Sequence, residues 1–284
     1  MKNLIVSSVS ILVASLLIGC GGGDSDGNGS SGSYLTGDPV PVTTLAEAEN
    51  AVSSVSSLNN LGTTNVSPSP ARSASPSQAP VNESESCVDG GSYSISGDAS
   101  ETTADITYTY NNCNQSGVVM DGSQHVSGTN DGTTVNLDIT MTALKSTYAS
   151  SSQTMDMAIK YIENTSTHAL DMIMNGTAAF SISSPISDSG TAGYQDFHIV
   201  ADGLNNTLTL NGDVSTTSSA HSCVDGQYNL KTLELLTPSG DGFSSGKMEI
   251  NGATFDFNND GTATVTFADG STEIVQQGQE VVCN

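Results

Sequence analysis

The chain has 284 residues, 30 acidic side chains against 6 basic ones, a formal charge of −24, no tryptophan and 5% aromatic residues. That balance excludes nucleic acid and anionic lipid surfaces as electrostatic partners, and no cluster of Lys or Arg offers a local exception. Much Ser, Thr, Asn and Gly with few aromatics suits a sheet with one apolar face better than a thick globular core.

Lys2 supplies a positive start, and Leu4 to Leu17 form an apolar run too short for a spanning helix, so residues 1–19 read as a secretory signal peptide. The next residues, Leu17-Ile18-Gly19-Cys20, resemble the lipobox of bacterial lipoproteins. The resemblance implies cleavage before Cys20, a diacylglyceryl thioether on its sulfur and an acyl group on the new N-terminus, which together supply stable membrane attachment. Gly21 stands where an inner-membrane lipoprotein carries Asp, so the implied location is the outer membrane of a bacterial envelope, with its face left open.

Residues 20–43 follow as the lipidated cysteine and a flexible acidic Gly/Ser tether, about 24 residues averaging roughly 25–30 Å of reach. Asp24, Asp26 and Asn28 alternate like the start of a calcium loop but lack its Gly-then-Glu completion. Thr44-Leu45-Ala46-Glu47 has the form of a capping box. Leu45, Ala48, Val52, Val55 and Leu58 recur at helical spacing, predicting a short amphipathic helix within 44–61 that needs a surface to lie on. Residues 62–86, with Pro68, Pro70, Pro76 and Pro80, read as a stiffer Pro/Ser linker, and the folded domain is expected over 87–284.

From there the signal has period two, in Ala104 to Tyr110, Val135 to Met141, Met155 to Tyr161, Leu170 to Ile182, Leu208 to Val214 and Ala263 to Phe267. Short polar connections favour antiparallel neighbours. The predicted fold is all-β: an antiparallel meander forming an open barrel or a two-layer sheet, with one short N-terminal amphipathic helix. Within it an apolar residue, then Asp or Asn, then Gly recurs at Met120-Asp121-Gly122, Met174-Asn175-Gly176, Leu210-Asn211-Gly212 and Ile250-Asn251-Gly252. In the second and third the alternation passes through the glycine without changing phase, so a continuous strand with a local bend is expected; in the fourth the phase switches, so a turn or bulge is expected.

Cys-Val-Asp-Gly occurs at Cys87 to Gly90 and again at Cys223 to Gly226, each copy followed later by Asn-Asp-Gly-Thr, at Asn130 and at Asn259. An even set of four cysteines in an exported chain predicts two disulfides, and this degenerate duplication favours Cys87 with Cys113 and Cys223 with Cys283. Cys87 to Gly91 together with Tyr110 to Cys113 loosely resembles a group of proteobacterial β-rich lipoproteins; the resemblance implies no activity.

Nothing assembles into a catalytic motif: there is no Gly-x-Ser-x-Gly, and the histidines are dispersed. No cysteine pair has zinc spacing, and no metal or cofactor is expected. Asp131, Asp260 and Asp269 precede glycine in turn contexts, which their conformation explains more readily than calcium does. Met155, Met157, Met172 and Met174 crowd two successive strands and would share one face if those strands pair, as core packing or as a face for apolar ligands. The expected role is a non-enzymatic binding or surface-structural lipoprotein, attached to the membrane through its lipid, with no nucleic-acid partner and an envelope protein as a candidate partner. The alternative is a carrier of lipid or another apolar ligand.

Overall fold

The computed structural model describes residues 35, 38–56, 79–183, 187–220, 225–240 and 242–278. Among these, fourteen strands form one antiparallel sheet whose spatial order is the order of the chain, and the sheet does not close into a barrel. The long strands are β3 (Thr103–Gln115), β4 (Val118–Asn130), β5 (Thr134–Tyr148), β6 (Ser151–Asn164), β7 (Ala169–Ile182), β8 (Asp188–Asp202), β9 (Thr207–Ser218) and β10 (Gly226–Ser239). They are flanked on one side by β1 (Ala79–Ser86) and β2 (Ser92–Ala99). On the other side stand β11 (Gly242–Ile250), β12 (Ala253–Phe257), β13 (Thr262–Thr266) and β14 (Thr272–Gln276).

The predicted alternation becomes an inward and an outward face. Along β6, Met155, Met157, Ile159 and Tyr161 are buried while Asp156, Ala158 and Lys160 are exposed. The same holds for Met172 and Met174 in β7 and Leu208 and Leu210 in β9. These side chains join one cluster running from Tyr110 in β3 to Val275 in β14. A flat sheet would leave such a face in water. The one helix among the described residues, α1 (Leu45–Ser56), lies against β14 and β11, so most of the inward face is covered by the sheet's own curvature.

The curvature has a local cause. Asn111 and Asn112 in β3 face the single Asp121 in β4; Thr142 and Ala143 in β5 face Asp156 in β6; Gln195 and Asp196 in β8 face Asn175 in β7. Each is a β-bulge, which bends its strand and raises its twist. In each, the second residue has a left-handed backbone: φ is 45° at Asn112, 44° at Ala143 and 48° at Asp196. Its amide then lacks a ladder partner and is met by the carboxylate or amide oxygen opposite. Asn112 donates to Asp121 Oδ2 (3.1 Å), Ala143 to Asp156 Oδ1 (2.8 Å) and Asp196 to Asn175 Oδ1 (2.7 Å). In β10, Thr232 donates likewise to Asn211 Oδ1 (3.0 Å).

The glycine of the repeated signature serves the strand on the other side. At Gly176 φ is 138°, and a Cβ there would collide with the backbone carbonyl of Asp156. Gly122 and Gly212 stand in the same way against the carbonyls of Ala143 and Asp196. Asx and Gly therefore sew three strands together, and the seam crosses eight strands from β3 to β10. The continuous strands expected at Gly176 and Gly212 are found. At Asn251-Gly252 the chain makes a two-residue turn with φ of 47° and 84°, placing Ile250 opposite Ala253.

The N-terminal boundaries differ from the expectation in two places. Strand β1 takes residues 79–86, part of the stretch read as linker. Its pairing with β2 is carried by the backbone, and Pro80 is tolerated because β1 is an edge strand. Before the helix, the last residues of the stretch read as tether are docked: Val42 is buried and its amide donates to Asn251 O (3.2 Å), while Asn251 Nδ2 donates to Val40 O (2.8 Å). The capping box forms as predicted, with Glu47 N donating to Thr44 Oγ1 (3.3 Å) and Thr44 N to Glu47 Oε2 (2.9 Å). Ala48, Ala51, Val52 and Val55 are buried, and each fully buried Val contributes roughly 1.5–3 kcal/mol. Leu58 lies outside the described residues.

Replacing Gly176 with Ala is expected to destabilise the fold by about 2–4 kcal/mol, from the clash and the positive φ together. Ala143→Gly is expected to be neutral or stabilising by up to about 1 kcal/mol, because relief of the left-handed conformation offsets glycine's entropy. Urea unfolding of both variants measures the difference; a destabilised Ala143→Gly would contradict the account of the seam.

Candidate functional site

Three surfaces carry chemistry-bearing side chains: the inward face, the outward face and the rim of turns. On the inward face, pairing of β6 with β7 brings the four methionines together as the sequence suggested, with Met157 opposite Gly176, Ile159 opposite Met174 and Tyr161 opposite Met172. Met155, Met157 and Met172 are each 4% exposed and Met174 is fully buried, so their thioethers are part of the packed interior. Met141 joins them across from Met157, and Gln124 stands across from Met141. Gln124 is 2% exposed, and its Nε2 has no hydrogen-bond partner, an unmet donor in an apolar setting. Sequence reasoning missed it because β4 shows almost no apolar alternation.

Two His–Asp pairs occupy the outward face. His125 Nε2 lies 2.7 Å from Asp105 Oδ1, and His198 Nε2 lies 2.8 Å from Asp171 Oδ1, each pair joining adjacent strands. Both histidines were visible as strand residues, but their partners, 20 and 27 positions away, follow only from register. Exposed hydrogen-bonded pairs of this kind contribute at most about 1 kcal/mol. Among the described residues no group of three or more His, Cys, Asp or Glu is placed to hold a metal, and no helix is long and apolar enough to cross a membrane.

The turn aspartates are occupied by their own backbone. Asp131 Oδ1 accepts from the amides of Thr134 (2.7 Å) and Thr133 (2.8 Å), and these hold its carboxyl below the usual carboxylate range. Asp260 and Asp269 accept the hydroxyl and amide of Thr262 and Ser271, with the same effect. A polar hollow of about 190 Å³ lies near Phe243, Asn258, Asn259 and Gln277. Gln277 satisfies its own wall, accepting from Phe243 N (2.7 Å) and donating to Phe243 O (2.8 Å) and Thr262 O (2.9 Å), so the hollow is a structural tie.

Cys87 and Cys113 are disulfide-bonded, with Cα atoms 5.4 Å apart. The bond ties the turn before β2 to the end of β3, and in the chain-entropy model it contributes about 3–4 kcal/mol. Cys20, Cys223 and Cys283 lie outside the described residues, and so do Asp24, Asp26 and Asn28. Comparison with protein families, curated proteins and solved structures finds no match.

One buried carboxylate escaped the sequence reading altogether. Asp188, at the start of β8, is 8% exposed and accepts from Ser189 N (2.8 Å), Ala220 N (3.0 Å), Ser219 Oγ (3.1 Å) and Ser218 Oγ (3.3 Å). Burial pushes its carboxyl up, but the amides of Ala220 and Ser189 and the two hydroxyls outweigh this and hold it below the usual range. A depressed folded pKa gives stability that is present above the unfolded value near 3.9 and is lost as pH falls through the folded one. Asp188→Asn is expected to cost about 1–3 kcal/mol at neutral pH and to flatten the acid limb of the stability curve. Thermal melts from neutral to strongly acidic pH check both; an unchanged acid limb would remove Asp188 from the account.

Proposed function

We propose that this chain is a lipid-anchored protein of the bacterial outer membrane whose β domain is a non-enzymatic binding or surface-structural module. The observation that carries the reading is Leu17-Ile18-Gly19-Cys20 at the end of a short apolar segment. The use of the two faces supports it. The inward face is taken up by packing, which leaves the outward face and the rims to meet a partner, and the outward face of β5 and β6 mixes polar and charged side chains such as Asn136, Asp138, Thr140, Asp156 and Lys160 with a few apolar ones such as Ile162. Cys20→Ser is expected to move the protein from the membrane fraction to the soluble fraction with its melting temperature unchanged. Membrane retention of this variant would sink the anchor.

A specific observation keeps a second reading in play, a carrier of lipid or another apolar ligand. Met141, Met155 and Met157 lie on the inward face with the partnerless Nε2 of Gln124 in the same register row as Met141 and Met157, an arrangement that suits an apolar molecule bearing a hydrogen-bond acceptor. Native mass spectrometry of the Cys20→Ser chain tests it. A carrier is expected to retain co-purified lipid and to take up a fluorescent fatty acid; a ligand-free mass without uptake would leave the structural reading.

A further inference from the structure

We infer that β1 is a guarded edge, built so that two copies of this chain do not join through the open side of their sheets. The sheet ends at β1, and among the described residues no strand pairs with its outer side. Cys87 N donates to Gly91 O (3.1 Å), which fixes the phase of the ladder: Val81, Glu83 and Glu85 turn their backbone groups toward β2, and Pro80, Asn82, Ser84 and Ser86 turn theirs away from it. Asn82, Ser84 and Ser86 are exposed and offer both N–H and C=O outward, while Pro80 offers a carbonyl and no donor. Such a row is a template for a further strand.

The side chains between these groups oppose that use. Glu83 pairs with Ile95 and Glu85 with Tyr93, which in turn pair with Tyr108 and Tyr110 of β3, so both carboxylates lie on the inward face of the sheet. Tyr110 is buried there and Tyr93 and Tyr108 pack against the core, whereas Glu83 and Glu85 stand exposed at the margin of the same face. Tyr93 Oη donates to Glu85 Oε2 (2.8 Å) and holds that carboxylate in position. A strand added beyond β1 has to lay its own inward side chains against two charges.

A second copy of this chain meets the guard from both sides. Two β1 strands related by a two-fold axis normal to the sheet pair antiparallel, with their inward faces on the same side. When the pairing is centred on Ser84, Glu83 stands opposite the partner's Glu85, and Glu85 opposite the partner's Glu83. When it is centred on Glu83, that residue stands opposite the partner's Glu83. When it is centred on Asn82, Pro80 falls inside the ladder and removes a donor from each strand. The glutamates occupy the pairs that are not hydrogen-bonded, where side chains come closest, and like charges directly opposite are destabilising there.

The test is the mass in solution of the full Cys20→Ser chain, measured by light scattering and joined to amide hydrogen exchange. The parent is expected to be a monomer. Glu83→Lys alone, or Glu85→Lys alone, turns both contacts of the Ser84-centred pairing into opposite charges and is expected to double the mass at low salt, with reversal at high salt. The double variant Glu83→Lys with Glu85→Lys restores like charges and is expected to stay a monomer, although it removes more of the net negative charge. Exchange is expected to slow several-fold at Asn82, Ser84 and Ser86 in the single variants and not in the double. Adding Ser84→Pro to Glu83→Lys removes the central donor without touching the ladder to β2, and is expected to return the monomer. A dimeric parent, single variants that stay monomeric, a dimeric double variant, or a dimer that slows exchange elsewhere or survives Ser84→Pro overturns the inference.

Discussion

A backbone amide displaced from the sheet ladder by a bulge must find another acceptor, and in this fold the acceptor is the Asp or Asn across the strand. That hydrogen bond recurs from Asn112 through Ala143 and Asp196 to Thr232, and the curvature of the sheet depends on it. Each of these hydrogen bonds contributes about 0.5–1.5 kcal/mol net. Without the glycines at 122, 176 and 212, the neighbouring carbonyl would have no room. Bend and acceptor are thus one device repeated across the sheet, and curvature is what lets a single sheet cover its own apolar face.

Covering the face in this way leaves little for a thick core to do. The interior is one layer of side chains per strand, with Phe197, Phe243, Phe255 and Met174 among the largest fully buried ones. What remains accessible is a largely polar outward face with two His–Asp pairs, and the two rims of turns. The helix completes the cover on the β11 and β14 side, where the strands are shortest.

Much of this was legible in the sequence where the alternation was uninterrupted. Strands β5, β6, β7 and β9 announce themselves by apolar residues at every second position, and the capping box fixed the start of the helix. Strand β8 was not legible, because its bulge puts Tyr194 and Phe197 on the same face three residues apart and so breaks the period. Strand β4 failed for a different reason: its one buried inward residue is Gln124, which carries no apolar signal. Edge strand β1 is mostly polar and shows no apolar alternation; it pairs through the backbone ladder, with Tyr93 Oη donating to Glu85 Oε2 (2.8 Å). The Asx-Gly signature was visible four times, but its meaning was not, since its partners lie on strands that only register brings alongside. The anchor reading, by contrast, rests wholly on local sequence.

The order of strands in the sheet has a consequence for how the molecule comes together. Each strand hydrogen-bonds only to those next to it in the chain, so every loop closed between strands is short and its entropic cost small, and only the docking of the helix and of Val40 and Val42 closes a long one. The sheet can be laid down from one end like a folded ribbon, with each new strand finding its template already in place. The disulfide joins residues only 26 positions apart, within the first turns of that ribbon. A chain delivered gradually from its N-terminal side would find its partners in the order in which they arrive.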